Sequence, residues 1–226
     1  MTKFSCTVSA DLLARAYAAV STEETRYYLN GVNIEPHPEG GALLVPTNGS
    51  TMLVFRDHEA KVTGQAIVQA DKGALQAMRK RDPWGARKVT VKGEQLTVHQ
   101  PAPTQGQPDI TVYIQAGECF IDGSFPDWRR VIPDLAKCTA RPDRSFNPLL
   151  LAEIGKALNS DPKVPAISIF AEGDREHPGP NVVIGSTSIP GFGIVMPVRD
   201  LGREPKSFAS FIVPKPVKEE AANDPT

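Results

Sequence analysis

The amino-acid sequence predicts an α+β fold in which a helix backed by a small antiparallel sheet occurs about three times. Two observations carry that expectation. Short alternating apolar runs are bounded by Gly, Pro and Asn turns, and the order of one helix then several strands returns along the chain. Pattern alone also fits a mixture of helices and hairpins without a true repeat.

In the first unit Phe4 to Val8 alternates as a strand, Ser9 is placed to cap a helix, and Leu12, Leu13, Ala16, Tyr17 and Val20 form its apolar stripe. Tyr28 to Ile34 and Ala42 to Val45 read as strands around a Pro/Gly-rich turn, and Met52 to Asp57 continues after Asn48-Gly49. The second unit runs Gln65 to Gln69 as strand, Ala70 to Arg81 as helix with Ala74, Leu75 and Met78 inward, then strands at Lys88 to Val91, Gln95 to His99 and Ile110 to Ile114. Pro83 stops its helix. In the third unit Asn147 caps and Pro148 opens a helix through Leu158, followed by strands at Ala166 to Ala171, Asn181 to Gly185 and Gly193 to Val198.

With 226 residues the chain has room for one large or two small cores, and its apolar and charged fractions are those of an ordinary globular protein. A formal charge of −1 gives no global attraction to nucleic acid, so any such contact needs basic residues segregated onto one face. Cys6, Cys119 and Cys138 are odd in number and widely spaced, which argues against a disulfide framework or structural zinc and fits a reducing cytoplasm. No signal-peptide core and no membrane-length apolar run is present. His37, His58, His99 and His177 lack metal-ligand spacing, no acid/base pair, nucleophile elbow or phosphate loop is recognisable, and neither catalysis nor a cofactor is expected.

Phe125 to Pro133, Phe-Pro-Asp-Trp-Arg-Arg-Val-Ile-Pro, is the most informative stretch. Two prolines fence an aromatic, two arginines and two β-branched residues into one segment, so Phe125 and Ile132 are expected to be extended and the segment to act as a connector. It resembles the end of the central domain of the bacterial sliding clamp, the DNA polymerase III beta subunit. Three more segments echo that family in the same order: Thr25 to Val32, Val45 to Met52, and Ile194 to Arg199. One departure stands out, because Asn48-Gly49-Ser50-Thr51 occupies the turn where the family has Asp-Gly-His-Arg.

The resemblance implies a clamp-like domain over residues 1–132 and a partial one over 133–213, with the clamp's first domain and the first half of its third not represented, and the nearly apolar-free composition of 214–226 is that expected of a mobile tail. Residues 135–144 are too short to supply a fourth unit comfortably. It implies a homo-oligomer whose helices line a hole around duplex DNA without reading its sequence, and a cytoplasmic, nucleoid-associated protein. Lys72, Arg79, Lys80 and Arg81, joined by Arg26 and Tyr27, form the DNA-facing set. A helical count puts Lys72, Gln76, Arg79 and Lys80 opposite Leu75 and Met78, although a solvated face explains the same charges. Arg15 and Lys156, beside Asp11 and Glu153, are better read as solvated.

The family's second surface is a pocket where linear motifs of polymerases and clamp loaders dock. The matching positions are Leu29, Thr47, Gly49, Pro126, Arg130, Val131, Ile194, Met196, Pro197 and Val198. Apolar side chains and a pliable Met would form the floor, the prolines would stiffen the walls, and Arg130 would offer donors. Met196 and Val198 are expected on one face of a strand. The alternative is that these residues are interdomain core.

Overall fold

The computed structural model describes residues 4–133, 139–140, 145–159, 166–171, 179–185 and 188–198. Cys138, His177, Arg199, the tail over 214–226 and most of 135–144 therefore lie outside the described residues. The strands are β1 (Ser5–Ser9), β2 (Val32–Pro36), β3 (Ala42–Val45), β4 (Thr51–Asp57), β5 (Lys61–Val62), β6 (Ala66–Val68), β7 (Lys88–Lys92), β8 (Gln95–Gln100), β9 (Ile110–Ile114), β10 (Phe120–Ile121), β11 (Thr139–Ala140), β12 (Ser168–Ala171), β13 (Asn181–Ile184) and β14 (Gly191–Val195). The helices are α1 (Ala10–Ala16), α2 (Lys72–Arg79) and α3 (Pro148–Leu158).

These elements repeat as strand, helix and three strands: β1-α1-β2-β3-β4, then β6-α2-β7-β8-β9, then β11-α3-β12-β13-β14. The first two units exchange their leading strands. β1 joins β7, β8 and β9 in a five-stranded sheet ordered β5-β1-β7-β8-β9, whereas β6 joins β2, β3 and β4. That exchange makes neither unit separable from the other. The second sheet has nine strands, ordered β10-β6-β2-β3-β4-β14-β13-β12-β11, and every pairing is antiparallel. It runs without a break from the first unit into the third through β4 and β14.

The helices begin where side chains satisfy their first free N–H groups. Ser9, Asp71 and Asn147 each accept a backbone N–H of the first turn. α1 packs on α2, α3, β3 and β4, so Leu13, Leu44, Leu53, Phe55, Leu96, Ile154 and Leu158 share one core between the helices and both sheets. Two glycines of β14 allow close packing against different elements: a Cβ at Gly193 would come 2.8 Å from Ile154 Cγ2 of α3, and one at Gly191 would come 2.5 Å from Phe55 Cδ1 of β4.

Several expected boundaries move. The segment before β2 is a 3-10 turn at Tyr27–Leu29, and the strand starts only at Val32, because Asn30 and Leu29 turn their N–H groups back onto Tyr27 and Arg26. α2 is shorter than 70–81: Asp71 takes the cap position and Lys80 is already extended, ahead of Pro83. Arg81 is consequently in a loop. β14 ends at Val195, since Pro197 has no N–H to continue a ladder. Met196 and Val198 lie beyond the strand, not on one of its faces.

Candidate functional site

The four segments singled out in the sequence converge at the seam between β4 and β14, where Met52 pairs with Ile194 and Thr51 with Val195. Opposed residues of an antiparallel pair share a face, so the seam has two. Leu53, Phe55 and Val195 point into the main core. Met52, Val54 and Ile194 point the other way, joining Val45, Val182 and Trp128 in a second apolar cluster edged by Leu43, Phe125, Ile132, Phe170 and Phe192. This second cluster is apolar and lies on the face of the seam opposite the main core.

The connector is fastened across that cluster. It is extended at Ile132, as expected, but Trp128–Val131 form a 3-10 turn that drops the indole into the cluster. Trp128 Nε1 donates to Glu35 Oε2 at 3.4 Å, Arg129 Nη2 donates to Glu35 Oε1 at 2.5 Å, and the guanidinium lies 4.2 Å from the indole centre. Glu35 is buried on β2 and also accepts from Asn33 Nδ2 at 3.1 Å. One carboxylate thus latches the connector to a strand more than ninety residues earlier. Pro126, Arg130 and Val131 of the same segment are left exposed.

The remaining wall is the turn before β4. Asn48 Oδ1 accepts from the N–H groups of Ser50 and Thr51 at 3.0 and 2.8 Å and from Thr51 Oγ1 at 3.1 Å, while Thr47 Oγ1 bonds Thr51 O at 2.8 Å. The Asn-Gly-Ser-Thr departure is therefore a self-sufficient turn. Gly49 is required there by its φ of +89°, and it leaves room for the Arg26 guanidinium, which lies where a Cβ would come within 2.5 Å of Nη1. Met196 N–H reaches back to Ser50 O at 3.4 Å, and Val198 N–H to Ser145 O at 3.0 Å.

The structure accordingly brings together Thr47, Gly49, Ile194 and Met196 directly, and places Pro126, Arg130 and Val131 on the connector that crosses the same cluster. Leu29 is buried one turn from Arg26, whose guanidinium touches this turn; it belongs to the wall's support and not to the open surface. Ile194 is 3% exposed, whereas Val131, Met196 and Val198 are each close to half exposed. Pro197 is half-buried between the last two. Trp128, Phe192 and Glu35 were not anticipated as part of the site. A charged residue inside an apolar strand was the available signal for Glu35.

The basic set divides. Lys72 and Arg79 are exposed on α2, and Lys80 and Arg81 are exposed just past its end, with Ala74 and Met78 buried on the opposite side. α2 is fixed at its start by Asp71, which caps Ala74 N–H at 2.6 Å and accepts from Tyr113 Oη of β9 at 2.8 Å. That hydrogen bond raises the Tyr113 hydroxyl above its ordinary value. Arg26 is elsewhere, paired with Glu23 at 2.7 Å beside the Gly49 turn, and Tyr27 is exposed next to it. Arg15 is not a solvated charge: its guanidinium pairs with Asp11 at 2.7 Å and donates to the carbonyls of Ala157 and Asn159 at 3.1 and 2.9 Å, closing the end of α3. Lys156 is exposed, as expected.

A cavity of about 830 Å³ opens elsewhere, between the β7–β8 turn and β10, lined among others by Phe4, Gln65, Glu94, Glu118 and Phe120. None of the anticipated residues lines it. Among the described residues no group of three or more His, Cys, Asp or Glu could hold a metal ion, and no helix is long and apolar enough to cross a membrane.

No family model matches the chain. Over 130 residues it is 31% identical to the "Beta sliding clamp" of Caulobacter vibrioides, covering 54% of this chain and 32% of that protein, so the match spans about a third of the relative's length. Among solved structures, the DNA polymerase III subunit beta of Borrelia burgdorferi aligns with a TM-score of 0.60 at 12% identity, over 87% of this chain and 63% of that one. The DNA polymerase sliding clamp of Bacillus subtilis aligns at 0.58 and 14%, over 88% and 65%. Caulobacter crescentus pol III beta aligns at 0.56 and 20%, over 88% and 67%.

Proposed function

Because this chain is a relative of the bacterial beta sliding clamp and carries its fold, we propose that it is a non-enzymatic, clamp-like processivity factor of the cytoplasm. In this reading it assembles as a homo-oligomer around duplex DNA and binds polymerase and clamp-loader proteins through linear peptide motifs. Residues 1–132 supply the central domain, residues 133–213 part of a second, and 214–226 a tail.

The observation that carries the peptide-binding part is the apolar cluster of Met52, Val54, Trp128 and Ile194, whose flanking segments carry the half-exposed Val131, Met196 and Val198. Apolar side chains of a motif would enter between the connector and the β14 extension, with Arg130 at the rim. The DNA part rests on Lys72 and Arg79 of α2 with Lys80 and Arg81 beyond it, which offer sequence-independent attraction to phosphates. Arg26 and Tyr27 would add to it only at a distance from α2, beside the pocket turn. Assembly is supported by β9, an outer strand whose Ile110, Val112 and Ile114 are exposed.

The test has two arms. A fluorescent clamp-binding peptide should bind and lose at least tenfold affinity in Met196→Asp; unchanged affinity sinks the pocket. Analytical ultracentrifugation and retention on circular but not linear DNA test the ring. A second reading, an interaction module without a ring, is favoured by the pairing of Arg26 with Glu23, which thins the basic set. It predicts peptide binding by a monomer that circular DNA does not retain.

A further inference from the structure

An exposed indole stands at the end of the basic helix. Trp84 is 51% exposed, whereas Trp128 is buried. Its loop is not loose. Asp82 and Arg87, almost completely buried, pair at 3.4 Å, and Arg87 also donates to Ala77 O at 2.6 Å and Gln100 Oε1 at 3.2 Å. Trp84 N–H is held by Asp82 Oδ1 at 3.0 Å, Pro83 fixes the backbone before it, and Gly85 turns behind it at φ +139°. The chain therefore commits a buried ion pair to a loop whose tip is an aromatic ring in water.

The company of that ring is cationic. Arg79, Lys80 and Arg81 are exposed, and among the described residues none of them is in an ion pair. An apolar partner protein would be a poor fit to an indole beside three unpaired cations. A polyanion carrying open aromatic faces fits both.

We propose that the end of α2 and the loop over 81–87 are a contact for single-stranded nucleic acid, with Trp84 stacking on a base and Arg79, Lys80 and Arg81 meeting the flanking phosphates. A duplex hides its base faces, so this contact differs from loose attraction to a duplex backbone. It requires neither a closed ring nor the peptide pocket.

Anisotropy of a fluorescent oligothymidylate, titrated with the full chain at several salt concentrations, tests it beside a duplex of equal length. Trp84→Ala should weaken oligothymidylate binding about tenfold while Trp84→Phe retains it, because stacking needs a ring and not an indole. Lys80→Glu with Arg81→Glu should weaken binding and reduce the salt slope by about 1.4. Duplex affinity should be unchanged by Trp84→Ala. Equal oligothymidylate affinity in Trp84→Ala and wild type overturns the proposal, as does an equal loss for duplex. A change in the sedimentation of DNA-free Trp84→Ala also overturns it, since the ring would then cover a second copy. Circular dichroism confirms the folding of each variant, and Trp84→Leu replaces any that fails. The peptide and circular-DNA arms above read the clamp function separately.

Discussion

β14 and β9 are strands of equal length and comparable apolar content, yet they end in opposite situations. β14 is paired on both sides, and Ile194 is 3% exposed; β9 is paired only with β8, and Ile114 is 52% exposed. The difference is not in local composition. It comes from whether a distant strand arrives at the free edge. β4 supplies that partner for β14, with Gly191 leaving room for Phe55 of β4 and Gly193 for Ile154 of α3, whereas β9 finds no second neighbour within the described residues. A shift of register beside β9, between Val98 and His99, twists this border and blunts it. One edge has become interior, and the other remains an outer strand of its sheet.

The largest expected effect separates the two strands by stability. Val195→Asp places a carboxylate in the sealed core and should cost on the order of 4 kcal/mol or prevent folding, read by urea denaturation. Ile114→Asp in the open strand should stay within about 0.5 kcal/mol of the parent. If both destabilise equally, β9 is not an open edge. Next, Glu35→Ala removes the acceptor shared by Trp128 and Arg129 and should cost about 2 kcal/mol in the same assay, with a matching rise in exposure of Trp128 to acrylamide. Third, Ile114→Asp should weaken self-association at least tenfold by sedimentation equilibrium, whereas Met196→Asp should leave it unchanged.

The smallest effect concerns proton linkage in the sheet that carries the open edge. Burial beside β7 pushes the Cys6 thiol up from 9.0 to about 12. The folded chain then holds this proton more tightly than the unfolded one, so the contribution to stability is complete below about pH 9 and is lost as the pH rises to about 12. Urea midpoints should fall over that interval, and the fall should be shallower in Cys6→Ala. Burial raises Tyr17 and Cys119 as well, in the same alkaline direction, so the decline does not vanish.

Much of this fold could be read from residues because its elements are locally determined. Asn147 with Pro148 placed the start of α3, and alternation placed β1, β3, β7 and β8 to within a residue or two. What escaped was non-local. β5, β10 and β11 are two-residue strands with too little pattern to see, and the exchange of β1 and β6 between units leaves no trace in either segment alone. The same holds at the site. Gly49, Ile194 and Met196 were accessible through short motifs, but Arg15 was read as solvated because its partners, Ala157 O and Asn159 O, are backbone atoms of a remote helix. Tyr28 and Leu29 read as the start of a strand, and backbone hydrogen bonds close Tyr27–Leu29 into a turn instead.

The seam also has a history within the life of each molecule. β4 and β14 are separated by roughly 140 residues, so at ordinary ribosomal rates of about 5–20 residues per second the earlier strand waits on the order of ten seconds for its mate. Throughout that interval Met52, Val54 and Phe55 border an uncovered ladder in the nascent chain. The newborn protein would need shelter from chaperones during that wait, and slower synthesis of its final third should lower the soluble yield more than an equal delay near the start.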